Sequence, residues 1–292
     1  LKHYAYYPGC SLHATAADYD VSARAVMNHL DISYSELDDW NCCGATALAS
    51  DSYLFSLLAP ARNLAMAGGD KGDMVVACNA CYVAEKRALK AFKEGGEWSK
   101  RITEGLLRID KEIDDDVEVL HLLQVLVNEV GLEEIENKAV RNLEGLKLAP
   151  YYGCQYSRPE TEGIHPESPM DLERLLEVTG AEVLDFNRKT RCCGSSLMST
   201  KEEHALRLCG EILKEADYRD ADAIVVTCPL CQLNLDAFQP RVNGLLGSDY
   251  RIPILFFTQV VGLALGLDPK ALGIGKQLTS CSGFLEKYRK GA

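Results

Sequence analysis

Two stretches, MVVACNAC at Met74–Cys81 and IVVTCPLC at Ile224–Cys231, decide how the chain folds. In each, a short unbroken apolar run enters a Cys-x-x-Cys. Such a run, about four to eight residues long and rich in valine or isoleucine, reads as a strand buried on both faces of a parallel sheet. The cysteines follow the strand and open a helix, so strand, thiols and helix make one βα unit. The chain contains that unit twice.

Around these units, further cysteines recur in the same order. The first half runs YAYYPGC to Cys10, DWNCCGATALA through Cys42, Cys43 and Gly44, then Cys78 and Cys81. The second runs APYYGC to Cys154, RCCGSSL through Cys192, Cys193 and Gly194, then Cys228 and Cys231. The intervening lengths are 31 and 34 residues in the first half and 37 and 34 in the second. Beyond the last cysteine, VLHLLQVLVNEVGL from Val119 aligns with ILFFTQVVGLALGL from Ile254, which sets Gln124 against Gln259. One Cys-x-x-Cys arises by chance; two ordered sets of five with matching flanks mark an internal duplication.

The same order of elements is expected in each half. An aromatic strand (Tyr4 to Tyr7; Tyr151 to Tyr152) leads to the first cysteine, and a helix follows (Asp18 to Leu30; Met170 to Thr179). A second strand (Ile32 to Glu36; Glu182 to Phe186) reaches the paired cysteines, and Ser50 or Ser199 caps the next helix. The strand Met74 to Ala77 or Ala223 to Thr227 then enters the last pair. This predicts an α/β fold: two pseudo-symmetric, Rossmann-like three-layer domains, each with a small parallel sheet, at residues 1–145 and 146–292. Residues 92–116 have no counterpart of equal length and read as an inserted, solvated helix and connector. Loops after parallel strands gather on one rim, so the five cysteines of a half are expected to converge there.

Composition narrows the chemistry. The 292 residues are 47% hydrophobic and 25% charged, as in ordinary globular chains. A formal net charge of −12 argues against a nucleic-acid backbone or an anionic membrane surface as partner. The longest apolar run, Ile252 to Leu267, is interrupted by Thr258 and Gln259 and falls short of the ~18–20 residues of a spanning helix; a buried or subunit-facing helix is expected instead. The stretch LKHYAYYPGC shows no signal region, so a cytoplasmic location is expected, with no transmembrane segment. There, twelve cysteines bind metal or do redox chemistry more often than they form disulfides.

A structural zinc takes four ligands, one fewer than each set supplies. Neighbouring residues such as Cys42 and Cys43 also point in different directions, reaching two separated points more easily than one small ion. Soft thiolates suit iron–sulfur clusters, which offer several irons. A dithiol redox pair explains the Cys-x-x-Cys but leaves Cys10, Cys42, Cys43 and their copies without a role.

The complete pattern resembles the cysteine-rich CCG domain, and two copies in one chain, with PGCSLH at Cys10 and DWNCCGA at the pair, look most like the B subunit of heterodisulfide reductase. That resemblance implies two non-cubane 4Fe-4S clusters, one on Cys10, Cys42, Cys43, Cys78 and Cys81, the other on Cys154, Cys192, Cys193, Cys228 and Cys231. It implies two-electron reduction of a thiol disulfide, such as the coenzyme M–coenzyme B heterodisulfide, between the clusters. The implied partners are the ferredoxin-like 4Fe-4S protein and the flavoprotein of the same complex, its C and A subunits. Relatives also relay electrons without disulfide turnover, for instance toward a benzoyl-CoA reductase. Gly44-Ala45-Thr46 stands where methanogen members carry prolines, which leaves the substrate open.

Gly44 and Gly194 are expected to give tight turns that let backbone approach a cluster. Tyr7 and Tyr152 flank the first cysteines. Cys209 and Cys281 have no copies and read as buried apolar residues. His13, three residues past Cys10, could give a proton to a leaving thiolate, although loop packing is the blander role and Ser157 takes its place in the second half. His165 reads as surface turn chemistry. With no Gly-x-Gly-x-x-Gly or P-loop, the chain is expected to bind no nucleotide or flavin and to take electrons from its partners.

Overall fold

The computed structural model describes residues 2–45, 47–157 and 164–291. Thr46 lies outside the described residues. Eight strands form two four-stranded sheets: β1 (His3–Tyr7), β2 (Ser33–Glu36), β3 (Asp73–Val76) and β4 (Val119–His121), then β5 (Lys147–Tyr151), β6 (Glu182–Val183), β7 (Ala223–Val226) and β8 (Ile254–Phe256). Every pairing is parallel, and the orders β2-β1-β3-β4 and β6-β5-β7-β8 are the same arrangement written twice. Strands β3 and β7, the apolar runs that enter Cys-x-x-Cys, sit inside their sheets, which explains why they carry no polar face.

The two halves exchange helices. The helix after β1, Ala17–His29, packs on Phe257–Ala264, which follows β8. Its counterpart after β5, Asp171–Glu177, packs on the π-helical turn Val125–Gly131 after β4. Inside this seam Ser22 and Thr258 hydroxyls meet at 2.7 Å, and Tyr19 stacks on Phe256 with centroids 4.0 Å apart. The aligned glutamines have one role: Gln124 Oε1 accepts from the backbone N–H of His121 and Gln259 Oε1 from that of Phe256, both at 2.9 Å.

Several expectations need correction. The helix Tyr53–Leu64 is capped by Ser52, whose Oγ accepts from Phe55 N–H at 3.4 Å, because Ser50 belongs to a separate turn, Leu48–Asp51. The helix Glu202–Tyr218 begins past Ser199, after Lys201, with no side-chain cap. The insert is only partly solvated: Phe92 and Lys93 finish the helix Asn79–Lys93, and Gly96–Leu107 buries Ile102 and Leu106 against it and Tyr53–Leu64. The run from Ile252 divides into β8 and a helix, since it crosses from sheet to seam. Among the described residues, no helix is long and apolar enough to cross a membrane.

His121 closes β4 at the place where Phe256 closes β8. It is wholly buried, its Nδ1 accepts from Leu123 N–H at 3.1 Å, and burial pushes its pKa down to about 4. The folded chain therefore refuses a proton that the unfolded chain takes up at an ordinary value of about 6.5. Stability contributed by this site is complete above about pH 6.5 and falls by about 3 kcal/mol as pH drops toward 4. Urea unfolding across that range should show the slope, and His121→Phe should flatten it. The tie between halves gives a second test. Tyr19→Phe leaves the Ala77 and Thr227 carbonyls without their donor and should lower unfolding stability by about 1–3 kcal/mol.

Candidate functional site

The first cysteine of each set stands on a turn that only glycine allows. Gly9 and Gly153 have φ of +73° and +70°, and a Cβ on either would lie 2.9 Å from the Sγ of Cys81 or Cys231. The tyrosine two residues before each glycine is buried, and its hydroxyl holds the next cysteine loop: Tyr7 donates to the Asn41 carbonyl at 2.8 Å and Tyr151 to that of Arg191 at 2.6 Å. Tyr151, not Tyr152, is thus the partner of Tyr7. Tyr152 occupies the place of Pro8 and binds Glu173 instead.

The adjacent cysteines divide their attention. Cys42 Sγ lies 3.6 Å from Cys10, while Cys43 Sγ lies 3.4 Å from Cys81. In the second half Cys192 meets Cys154, and Cys193 lies 3.5 Å from Cys231. Each set therefore has an outer pair and an inner trio. Cys10 and Cys42 are exposed, Cys154 and Cys192 half-buried, and the six inner cysteines buried. The pKa of Cys43 is pulled down to about 4 by hydrogen bonds from Cys42 and then Cys81, against its burial. The glycine after each pair turns through positive φ, and its N–H donates to the outer sulfur, Gly44 to Cys42 at 3.5 Å and Gly194 to Cys192 at 3.3 Å.

The inner trios meet. Cys78 and Cys228 each cap the helix that carries Cys81 or Cys231, and their thiols lie near enough to shift one another, the pKa of Cys78 upward and that of Cys228 downward. Tyr19 hydroxyl reaches the carbonyls just before them, Ala77 at 2.8 Å and Thr227 at 3.3 Å. Asn79 crosses the same seam, its Nδ2 donating to the Tyr152 carbonyl at 2.7 Å and to Thr227 Oγ1 at 3.1 Å.

Support around the two loops differs, and sequence reasoning missed it. In the first half Asn63 clasps Asn41, donating to its carbonyl at 3.0 Å and accepting from its N–H at 2.9 Å, and also donates to Glu85 at 3.0 Å. Burial raises the pKa of Glu85 far above the carboxylate range. In the second half Asn234 and Cys209 donate to the Cys193 carbonyl at 2.6 and 3.2 Å. Cys209 is buried as expected but also fixes a loop. Cys281 is buried away from both sets, donating to Gln277 at 3.3 Å, and His165 Nδ1 accepts from the Glu167 and Ser168 amides of a surface turn. The glycine before each first cysteine was the missed signal open to inspection, since Gly-Cys recurs in both halves.

Among the described residues no three histidines, cysteines or acids form a ready single-ion site. The sulfurs meet two by two instead. Soft donors at separated points, amides donating to sulfur and a glycine with no room for a Cβ beside a thiol fit an iron–sulfur cluster. Known proteins agree. Residues 4–84 and 148–236 match the cysteine-rich domain CCG. An Archaeoglobus profundus protein described as like the B subunit of heterodisulfide reductase is 31% identical over 285 residues, covering 94% of each chain. The B subunit of the ferredoxin:CoB-CoM heterodisulfide reductase of Methanosarcina mazei is 30% identical, covering 96% of this chain and 94% of that one. The chain belongs to the family of heterodisulfide reductase B subunits.

Membership makes this part of a heterodisulfide reductase-like oxidoreductase and implies iron–sulfur clusters at its CCG domains. The chain is also similar to the 8-methylmenaquinol:fumarate reductase membrane anchor subunit of Wolinella succinogenes, 33% identical over 275 residues, 94% of this chain and 95% of that one. A solved structure of a hypothetical Helicobacter pylori protein shares the fold at a TM-score of 0.74 and 15% identity. It matches 96% of this chain, which spans about half, 52%, of its length.

Gly9→Ala and Gly153→Ala should each force a side chain into the left-handed region, at a cost of about 1–2 kcal/mol, and push on Cys81 or Cys231. Lower thermal stability together with loss of bound iron is expected; unchanged iron per chain would show that the turn is not part of the site.

Proposed function

We propose that the chain is a disulfide-reducing subunit with two non-cubane 4Fe-4S clusters. One is held by Cys10, Cys42, Cys43, Cys78 and Cys81, within residues 1–145, and the other by Cys154, Cys192, Cys193, Cys228 and Cys231, within residues 146–292. The observation that carries this reading is that the two Cys-x-x-Cys turns are drawn together, Tyr19 bridging the carbonyls before Cys78 and Cys228 and the two thiols shifting each other's pKa. Two like sets of soft donors meet there, as the cleavage of a bond between two like sulfur atoms requires.

Bound clusters supply one-electron steps and irons that accept sulfur. The protein supplies the rest. Its six inner cysteines are buried and keep water from the meeting point, while the exposed outer pair Cys10 and Cys42 leaves one edge open to an approaching molecule. Gly44 and Gly194 amides stabilise negative charge on the outer sulfurs. Electrons come from a ferredoxin-like 4Fe-4S partner and a flavoprotein partner, in the cytoplasm; the word ferredoxin in the name of the Methanosarcina relative supports such a donor. A second reading is an electron relay with the same clusters and no disulfide turnover, favoured by the fumarate reductase name of the Wolinella relative.

Anaerobically purified protein should be brown, with about eight irons and eight sulfides per chain. Cys42→Ser or Cys193→Ser should remove about half of the iron, since each disturbs one five-thiolate set; unaltered iron in both variants would sink the ligand assignment. Disulfide-dependent oxidation of the assembled, reduced complex separates the two readings, because a relay shows none.

A further inference from the structure

The open edge of the first thiol set has a chemical group with no counterpart among the described residues of the second. Cys10 and His13 are three residues apart on the turn Gly9–Leu12 and its C-cap, a spacing that sets both side chains on one face. His13 packs on the loop, as the blander reading expects, and is still part-exposed: its side chain is 44% exposed, and Nε2 lies 3.3 Å from Glu36 Oε1. Its ring stands edge-on to Trp40, centroids 5.0 Å apart, and Trp40 Nε1 donates to the same carboxylate oxygen at 3.2 Å. Trp40 lies two residues before Cys42. One carboxylate therefore ties the turn of Cys10 to the loop of Cys42, where the two sulfurs come within 3.6 Å.

The other charges here are Arg24, which donates to Glu36 Oε2 at 2.6 Å, and Asp20, which Arg24 holds at 2.8 Å. Burial opposes the charge on Glu36, but hydrogen bonds from Trp40 and Arg24 keep its pKa below the ordinary value. The Glu36 carboxylate lies in ion-pair contact with Nε2, and Nδ1 is the nitrogen left to exchange a proton. Among the described residues the second half has no such device. Ser157 stands in the place of His13, buried, its hydroxyl donating to the Pro166 carbonyl at 2.8 Å. Lys189, in the loop before Cys192, is bound to Glu173 at 2.6 Å.

We propose that His13, oriented by Glu36, is the acid that protonates the thiolate released at the first thiol set, so that the two halves of a disulfide leave in different protonation states. This rests on the disulfide-reducing reading above. The S–S bond takes up two electrons supplied by the iron–sulfur donor protein and breaks. One sulfur takes the proton of His13 Nδ1 and leaves as a thiol; the other leaves as a thiolate. His13, open to solvent, is reprotonated from water.

The reverse event is measurable without turnover. A thiol that binds as its thiolate hands its proton either to His13 or to solvent. If to solvent, binding tightens about tenfold for each unit of rising pH; if to His13, affinity changes less. Spectral titration of oxidised holoprotein with 2-mercaptoethanol over a pH series should give a flatter slope for one equivalent in the wild type. His13→Gln should restore the full tenfold slope, Glu36→Gln should fall between, and all three should hold equal iron. In the assembled complex His13→Gln should slow disulfide turnover about 100-fold. Equal slopes in the wild type and His13→Gln would overturn the proposal and leave the disulfide reading standing. If no thiol alters the wild-type spectrum and no disulfide is turned over, both fall.

Discussion

Tyr19 is wholly buried, and its hydroxyl donates to two carbonyls 150 residues apart in the chain, those of Ala77 and Thr227. Those carbonyls follow directly on the strands β3 and β7, so one hydroxyl bridges the two segments that enter the Cys-x-x-Cys turns. A buried carbonyl without a donor is costly, and this donor comes from a helix that packs on the opposite half. The exchange of helices and the meeting of Cys78 with Cys228 are thus one arrangement. Neither half completes its thiol set's surroundings alone.

The same geometry accounts for paired cysteines. In an extended loop, adjacent side chains diverge, and here the first of each pair turns to the outer cysteine and the second to the buried one. The glycine that follows reverses the chain through positive φ and aims its amide back at the outer sulfur. A site made this way has a solvent edge and a dry interior, and the duplication places two dry interiors against each other.

Duplication has not kept the surroundings equal. Glu85, four residues after Cys81, is a buried carboxyl that hydrogen-bonds Asn63; four residues after Cys231 stands Leu235. His121 faces Phe256 across the pseudo-twofold relation, and the exposed His13 faces a buried Ser157. The first set carries the more exposed outer cysteines.

The duplication, the parallel α/β class, the order of strands along the chain and the two sets of five cysteines are all legible in the residues read one after another. They rest on local pattern: apolar runs, helix periodicity and residue spacing. Local pattern also marks the glycines, because a turn through positive φ admits little else. Which sulfur touches which, and that Cys78 reaches Cys228, came only from the packing of helices across the halves, since contacts between residues 150 positions apart leave no trace in local spacing. The same holds for the role of Tyr151 in place of Tyr152, for Asn63 holding Asn41, and for Glu36 holding His13 beside Cys10. Each is a polar contact whose two ends are brought together by the fold, and single-chain pattern carries only one end at a time.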